Sequence, residues 1–131
     1  MKNAYPIVLT PDGDGYVVYI PDFHANTQGY SLTEAIEMAR DAIGLVGIEM
    51  QDEKQPLPQP SPVGSVNKET ENDIVTLVDI DFDEYRRKND MRSVRRNVTL
   101  PSWLDYEATK SGINVSAVLQ EALKDRLHIQ R

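Results

Sequence analysis

The last 40 residues most strongly limit what this chain can fold into, because they hold one predicted strand and two short predicted helices. Residues 94–100 are typical of a strand and residues 103–111 of a helix that Gly112 ends. Asn114 is expected to cap a second helix that continues to about His128. A lone strand leaves its backbone groups unpaired, and two short helices bury too little apolar surface to form a core. This region must therefore pair with a second copy or with another protein.

The first 83 residues predict a small β-β-β-α-β domain, so the chain as a whole belongs to the α+β class. Residues 5–10 and 16–20 are rich in β-formers and flank a Gly/Asp turn, and residues 27–30 are a third candidate strand. Ser31 and Glu34 have the spacing of a capping box, which predicts a helix to about Met50. A buried strand is expected at residues 74–80. One face of the helix is apolar and is expected to cover the sheet: Leu32, Ala35, Ile36, Ala39, Ile43 and Val46.

Residues 51–73 interrupt this pattern with four of the eight prolines and few large apolar side chains, which predicts a loop. We therefore expect a first domain over residues 1–83 that includes this loop. A hinge is expected at residues 84–92 and a second domain at residues 93–131.

The charge is distributed unevenly along the chain. Residues 1–81 carry four Lys/Arg against fourteen Asp/Glu, a net charge of −10, whereas residues 82–131 carry ten against seven, a net charge of +3. The first part suits a basic partner, and the second suits a polyanion. The chain has no cysteine, which excludes disulfides and thiolate metal sites. No apolar run approaches the roughly 20 residues needed to cross a bilayer, so we expect a cytoplasmic protein without a membrane contact.

The residues after the hinge resemble a ribbon-helix-helix repressor domain. The resemblance rests on residues 95–101, RRNVTLP, followed by Leu104, Ala108, Gly112, Asn114, Ser116 and Leu119. It implies that two protomers pair their strands into an antiparallel ribbon that enters the major groove of DNA. It also implies that the start of the second helix, at Asn114, Val115 and Ser116, holds a DNA phosphate.

Alternation along the predicted strand separates two sets of side chains. Arg95, Asn97 and Thr99 fall on one face and suit base edges, since an Arg side chain can form bidentate hydrogen bonds with guanine and an Asn side chain with adenine. The opposite face carries apolar residues, but also Arg96, where the family usually has an apolar residue. The expected dimer core combines residues of this face and of the second helix: Val98, Leu100, Val118, Leu119 and Ala122.

The first half resembles the HicB antitoxin family, most clearly from Gly29 through Glu34. The resemblance covers nearly the whole chain and implies a partial ribonuclease H-like domain that binds a small basic, RNA-cleaving HicA toxin. It further implies a homodimer or tetramer that represses its own operon by binding double-stranded operator DNA. A neighbouring reading frame would then encode a short basic protein with one prominent histidine.

Two other functions compete with this interpretation. The first is a stand-alone transcriptional regulator whose first domain senses a ligand or mediates oligomerisation. The second is a metal-dependent nuclease, for which Asp79, Asp81 and Asp83 would share one strand face while Asp22 ends another strand. The first strand contains no acidic residue, however, so we expect a degenerate site with no catalytic residue, metal or cofactor. The same three aspartates then form a solvated or partner-facing edge.

Overall fold

The computed structural model describes residues 2–131, which separate into two compact units. We call them the N-terminal unit, which ends at Met91, and the C-terminal unit, Arg92–Arg131. The N-terminal unit contains strands β1 (Lys2–Asp12), β2 (Gly15–Ile20), β3 (Ala25–Gly29) and β4 (Ile74–Asp81), and helices α1 (Leu32–Asp52) and α2 (Phe82–Lys88). The C-terminal unit contains helices α3 (Ser102–Lys110) and α4 (Val115–Leu127).

The N-terminal unit is built on a four-stranded antiparallel sheet in the order β3-β2-β1-β4. The predicted hairpin is confirmed, and Gly13 adopts the left-handed conformation that its turn requires, at a φ of 59°. Strand β4 pairs with β1 over eight residues, from Lys2 opposite Asp81 to Leu9 opposite Ile74. The long pairing places the C-terminal strand of this unit beside its N-terminal strand.

Helix α1 covers one face of the sheet. Ser31 caps it by accepting a hydrogen bond at Oγ from the Glu34 amide at 3.0 Å, as the capping-box spacing predicted. Of the predicted apolar face, Ala35, Ala39 and Ile43 are fully buried. The core against which they pack has side chains exposed by 0–4%: Tyr5, Ile7, Leu9, Val18, Ile20, Val78, Ile80 and Phe82.

The proline-containing segment is an ordered loop that is held at three places, two of them on β1 and one on the turn between β2 and β3. The Tyr5 hydroxyl donates to the carbonyl of Pro58 at 2.9 Å. The carboxylate of Asp22 accepts hydrogen bonds from the amide and the hydroxyl of Ser61. At the end of the loop, Asp73 accepts from the Thr10 hydroxyl at 2.9 Å, which ties the loop to β1.

Helix α2 corrects two expectations. Asp83 does not share a strand face with Asp79 and Asp81, because the chain turns into α2 at Phe82. The turn forms because the Asp81 carboxylate accepts hydrogen bonds from the Asp83 and Glu84 amides at 3.1 and 3.2 Å. Residues 84–88 of the expected hinge therefore lie in a helix.

Helix α2 packs against α1, where two glycines leave the necessary room. A Cβ atom at Gly44 would overlap the ring of Tyr85, and one at Gly47 would overlap the ring of Phe82. The Tyr85 hydroxyl donates to the Asp41 carboxylate at 2.8 Å. This close contact makes α2 part of the N-terminal unit.

The C-terminal unit has the two predicted helices but not the predicted strand. The Asn114 side chain caps α4 by accepting a hydrogen bond from the Ala117 amide at 3.1 Å. Gly112, which follows α3, has a φ of 69° and so ends that helix in the left-handed conformation. Residues 94–100, by contrast, have no regular secondary structure. A β-ladder requires a second strand, and a single chain gives this segment none.

Candidate nucleic-acid interface and acidic surfaces

The three residues expected to contact bases lie in the extended segment before α3. Arg95, Asn97 and Thr99 are all exposed. They alternate with Val94, Val98 and Leu100, whose side chains are exposed by 88%, 53% and 37%. In the single chain the segment does not fix these side chains on opposite faces, because it forms no strand. The polar residues are therefore available to a ligand but not yet held in one geometry.

The start of α4 presents backbone donors to solvent. Asn114 uses its side-chain oxygen to satisfy the Ala117 amide, and its carbonyl accepts from the Val118 amide at 3.1 Å. The amides of Val115 and Ser116 belong to the first turn, whose N–H groups have no acceptor within the helix. Together with the positive end of the helix dipole, these groups can hold a phosphate.

Most apolar side chains of the C-terminal unit are exposed. Within residues 92–131 only Ala108 and Leu119 are partly buried. The expected dimer-core residues Val118 and Ala122 are exposed, Val118 by 53%, and so are Leu123 and Leu127. Exposed apolar patches of this kind in a small unit mark an interaction surface.

Three of the four aspartates considered for metal binding have other side-chain contacts. Asp79 pairs with Arg40 at 3.2 Å, Asp81 caps α2, and Asp22 holds Ser61. Within residues 2–131, no three His, Asp or Glu side chains are grouped so that they could hold a metal ion. These carboxylates form structural hydrogen bonds and surface ion pairs.

One acidic groove of the N-terminal unit was missed by the sequence reasoning. It has a volume of about 540 Å³ and lies between the β1–β2 turn, the end of β3 and the start of α1. Three carboxylates, Asp12, Asp14 and Glu34, line it together with Tyr16 and Tyr30, and no basic residue does. Asp12, Asp14 and Tyr16 are distant in sequence from Tyr30 and Glu34, and the pairing of β2 with β3 brings the two groups together.

Polar contacts and burial shift the pKa values of two side chains in this unit. Hydrogen bonds from Thr70, Thr10 and Glu69 lower the pKa of the nearly buried Asp73 from 3.8 to about 2. Burial, together with the neighbouring Asp41 carboxylate, raises the pKa of Tyr85 to about 12. Both groups therefore keep their charge state at neutral pH and serve as fixed contacts.

Comparison with known proteins agrees with this architecture. Residues 5–122 match the family model of the HicB-like antitoxin of bacterial toxin–antitoxin systems. An uncharacterised 14.9 kDa protein from the rep–hol intergenic region of Haemophilus phage HP1 is 33% identical over 103 residues, which are 76% of this chain and 74% of that protein.

Solved structures share the fold. A chain of a toxin–antitoxin complex from Streptococcus pneumoniae superimposes with a TM-score of 0.60 at 25% identity, over 96% of this chain and 99% of that one. The antitoxin HicB of Burkholderia pseudomallei gives 0.53 at 22% identity, over 95% and 96% of the two chains. A chain of a HicA3–HicB3 toxin–antitoxin complex gives 0.51 at 24% identity, over 60% of this chain and 99% of that one.

No helix within residues 2–131 has the length and apolar character to cross a membrane.

Proposed function

Since the chain belongs to the HicB-like antitoxin family, we propose that it neutralises a HicA-like, RNA-cleaving toxin and represses its own operon. The N-terminal unit binds the toxin, and the C-terminal unit binds operator DNA as a ribbon-helix-helix dimer. The observation that carries this proposal is the family match over residues 5–122, which includes both units. No catalytic step is required of this chain.

Toxin binding is supported by the charge of the N-terminal unit and by a structural relative. Residues 1–81 have a net charge of −10, which complements a basic partner. The Streptococcus pneumoniae chain that shares this fold comes from a toxin–antitoxin complex. An acidic surface laid over an RNA-binding face would block the face and remove its attraction for phosphate. Inhibition then needs only occlusion.

DNA binding is supported by the chemistry of the C-terminal unit. In the proposed dimer, residues 94–100 of two copies pair as a ribbon, which presents Arg95, Asn97 and Thr99 to the major groove. The amides of Val115 and Ser116, with the Asn114 cap, hold a phosphate beside it.

The dimer itself is supported by the apolar side chains that a single copy leaves uncovered. Val98, Leu100 and Val118 are exposed by 53%, 37% and 53% in one chain. Pairing two copies removes this surface from water, together with the half-buried Leu119 and with Ala122. Dimerisation and formation of the ribbon are therefore one event in this proposal.

The toxin half is tested by co-expression. The full chain should co-purify with the basic protein encoded by the neighbouring reading frame and should restore growth of cells that express it. Growth arrest that the full chain does not relieve, with no complex recovered, would contradict toxin neutralisation.

The DNA half is tested by gel shift with the promoter fragment of the same operon. Replacing Arg95, Asn97 and Thr99 singly by alanine should each cost about 1–3 kcal/mol of discrimination between operator and unrelated DNA. Toxin binding should be unchanged in these variants, which makes it the internal control. A triple variant that shifts the operator normally would show that the proposed base contacts are wrong.

A further inference from the structure

We propose that the N-terminal unit binds its partner by adding a basic β-strand of that partner to the free edge of β3. This inference rests on the proposed toxin binding and assigns to it a place, Ala25–Gly29, and a mode of recognition. An extended segment that joins an exposed sheet edge gains backbone hydrogen bonds along its whole length.

The two edges of the sheet differ in how they are covered. At β4, Arg40 donates from Nε to the backbone carbonyl of Asp79 at 2.9 Å and from Nη2 to its carboxylate at 3.2 Å. Lys2 lies 4.0 Å from the same carboxylate. At β3, the backbone pairs only with β2 within the part of the chain that the structure describes. Both edges are therefore unpaired along most of their length, and β4 differs in being covered at Asp79 by Arg40 and Lys2.

Strand β3 is short, but three other features that usually protect an edge are absent from it. Its sequence, ANTQG, contains no charged residue and no proline. Its pairing with β2 is regular from Tyr16 opposite Gly29 to Ile20 opposite Ala25, so no bulge turns the edge away. No charged residue, proline or bulge within β3 therefore opposes pairing with an added strand.

Charge decides between the two candidate occupants of this edge. The acidic groove lined by Asp12, Asp14 and Glu34 reaches Gln28 and Gly29, at the end of β3. A second copy would bring the same acids, and another net charge of −10, to the junction. A basic strand instead carries its Lys or Arg side chains toward this groove, whose Tyr16 and Tyr30 rings also attract cations. The partner that fits is a basic one.

Amide hydrogen exchange on the full chain tests the backbone pairing directly. The measurement compares the free chain with the complex that it forms with the expected toxin, the short basic protein predicted for the neighbouring reading frame, in a variant whose expected prominent histidine is replaced. The amides on the outer side of β3 should exchange at least about tenfold more slowly in the complex. A complex in which Ala25–Gly29 exchanges as in the free chain overturns the inference while leaving toxin binding intact.

Two other results would also overturn it. Amides of β3 that are already protected in the free chain, and that lose protection on dilution, would show that a second copy occupies the edge. Absence of any complex would remove the proposed toxin binding and this inference together. The experiment therefore distinguishes a wrong placement at β3 from a failure of toxin binding itself.

A matched pair of lysine substitutions tests the position. Gln28→Lys adds a positive charge beside the β3 edge, and Leu77→Lys adds the same charge on β4, where Leu77 is exposed by 52%. Gln28→Lys should weaken binding of the basic protein by about tenfold and Leu77→Lys by less than about twofold. Equal losses from the two variants, with unchanged thermal stability, would overturn the placement at β3.

Discussion

The N-terminal and C-terminal units differ in where their apolar side chains find cover. In the N-terminal unit, Tyr5, Ile7 and Phe82 are fully buried by a sheet and a helix from the same chain. In the C-terminal unit, Trp103 and Leu127 remain exposed by 68% and 64%. A region of two short helices has too much surface for its volume to enclose a core. One unit is therefore complete within one chain, whereas the other leaves its apolar side chains exposed and would gain a core only in the proposed dimer.

The largest effect is expected from emptying the core of the N-terminal unit. Phe82 is fully buried and packs edge-to-face with Tyr5 at a centroid distance of 6.4 Å. Phe82→Ala should therefore lower the free energy of unfolding of this unit by about 3–5 kcal/mol, measured by urea denaturation. Tyr30→Ala is the matched control, since Tyr30 is 81% exposed and should cost little. Equal losses would mean that this core is not the source of stability.

The next effect separates association from folding. Thermal unfolding of the C-terminal unit, followed by fluorescence of Trp103, should shift to higher temperature as the protein concentration rises, because the proposed dimer supplies its core. Leu119→Ala should weaken this dimer by about 2–4 kcal/mol. Leu45→Ala, a change of an exposed leucine on α1, is the control. An unfolding midpoint that does not depend on protein concentration would contradict the proposal that a second copy supplies the core of the C-terminal unit.

A smaller, pH-dependent effect is expected at the end of the loop. Because the folded-state pKa of Asp73 is lowered from 3.8 to about 2, its carboxylate stabilises the N-terminal unit above pH 4, and this stabilisation is lost as the pH falls through 2. Asp73→Asn should lower the melting temperature by several degrees at pH 7 and by progressively less toward pH 2. Scanning calorimetry across this range measures it, and a difference that stays constant with pH would exclude the carboxylate as the cause.

The smallest effects come from two helix caps, one in each unit. Ser31→Ala and Asn114→Ala each remove one hydrogen bond to a backbone amide, at 3.0 and 3.1 Å, and each should cost about 1 kcal/mol. The Ser31 variant should lower the stability of the N-terminal unit alone. The Asn114 variant should in addition weaken DNA binding, which gel shift can measure. Unchanged DNA affinity of the Asn114 variant would show that the α4 cap does not contribute to the proposed phosphate contact.

Local patterns were sufficient for most of the N-terminal unit. The capping-box spacing placed the start of α1, and the helical periodicity identified Ala35, Ala39 and Ile43 as buried. Helix α2 was missed because the acidic and basic residues from Asp83 onward have no apolar periodicity apart from Phe82 and Tyr85. Its position depends on Gly44 and Gly47, which are about 40 residues away in sequence and leave room for those two rings.

In the C-terminal unit, the sequence predicted the helices correctly because their caps and turns are local: Asn114 and Gly112 each act within a few residues. The strand at residues 94–100 could not be settled in the same way, since strand formation depends on a partner rather than on the segment itself. The alternation of Arg95, Asn97 and Thr99 with apolar residues predicts which side chains the ribbon would present to DNA. Only pairing with a second strand can hold them in that orientation.

The sequence by itself determined the α+β class, the starts of α1, α3 and α4, and the family, because these depend on short-range periodicity, caps and motif order. Only the tertiary structure decided that the proline-containing loop is tied down at Asp22 and Asp73, that α2 packs on α1, and that β3 is an open edge. The physical reason is range: caps and amphipathic faces form between neighbours in sequence, whereas sheet order and loop contacts join residues that are far apart along the chain.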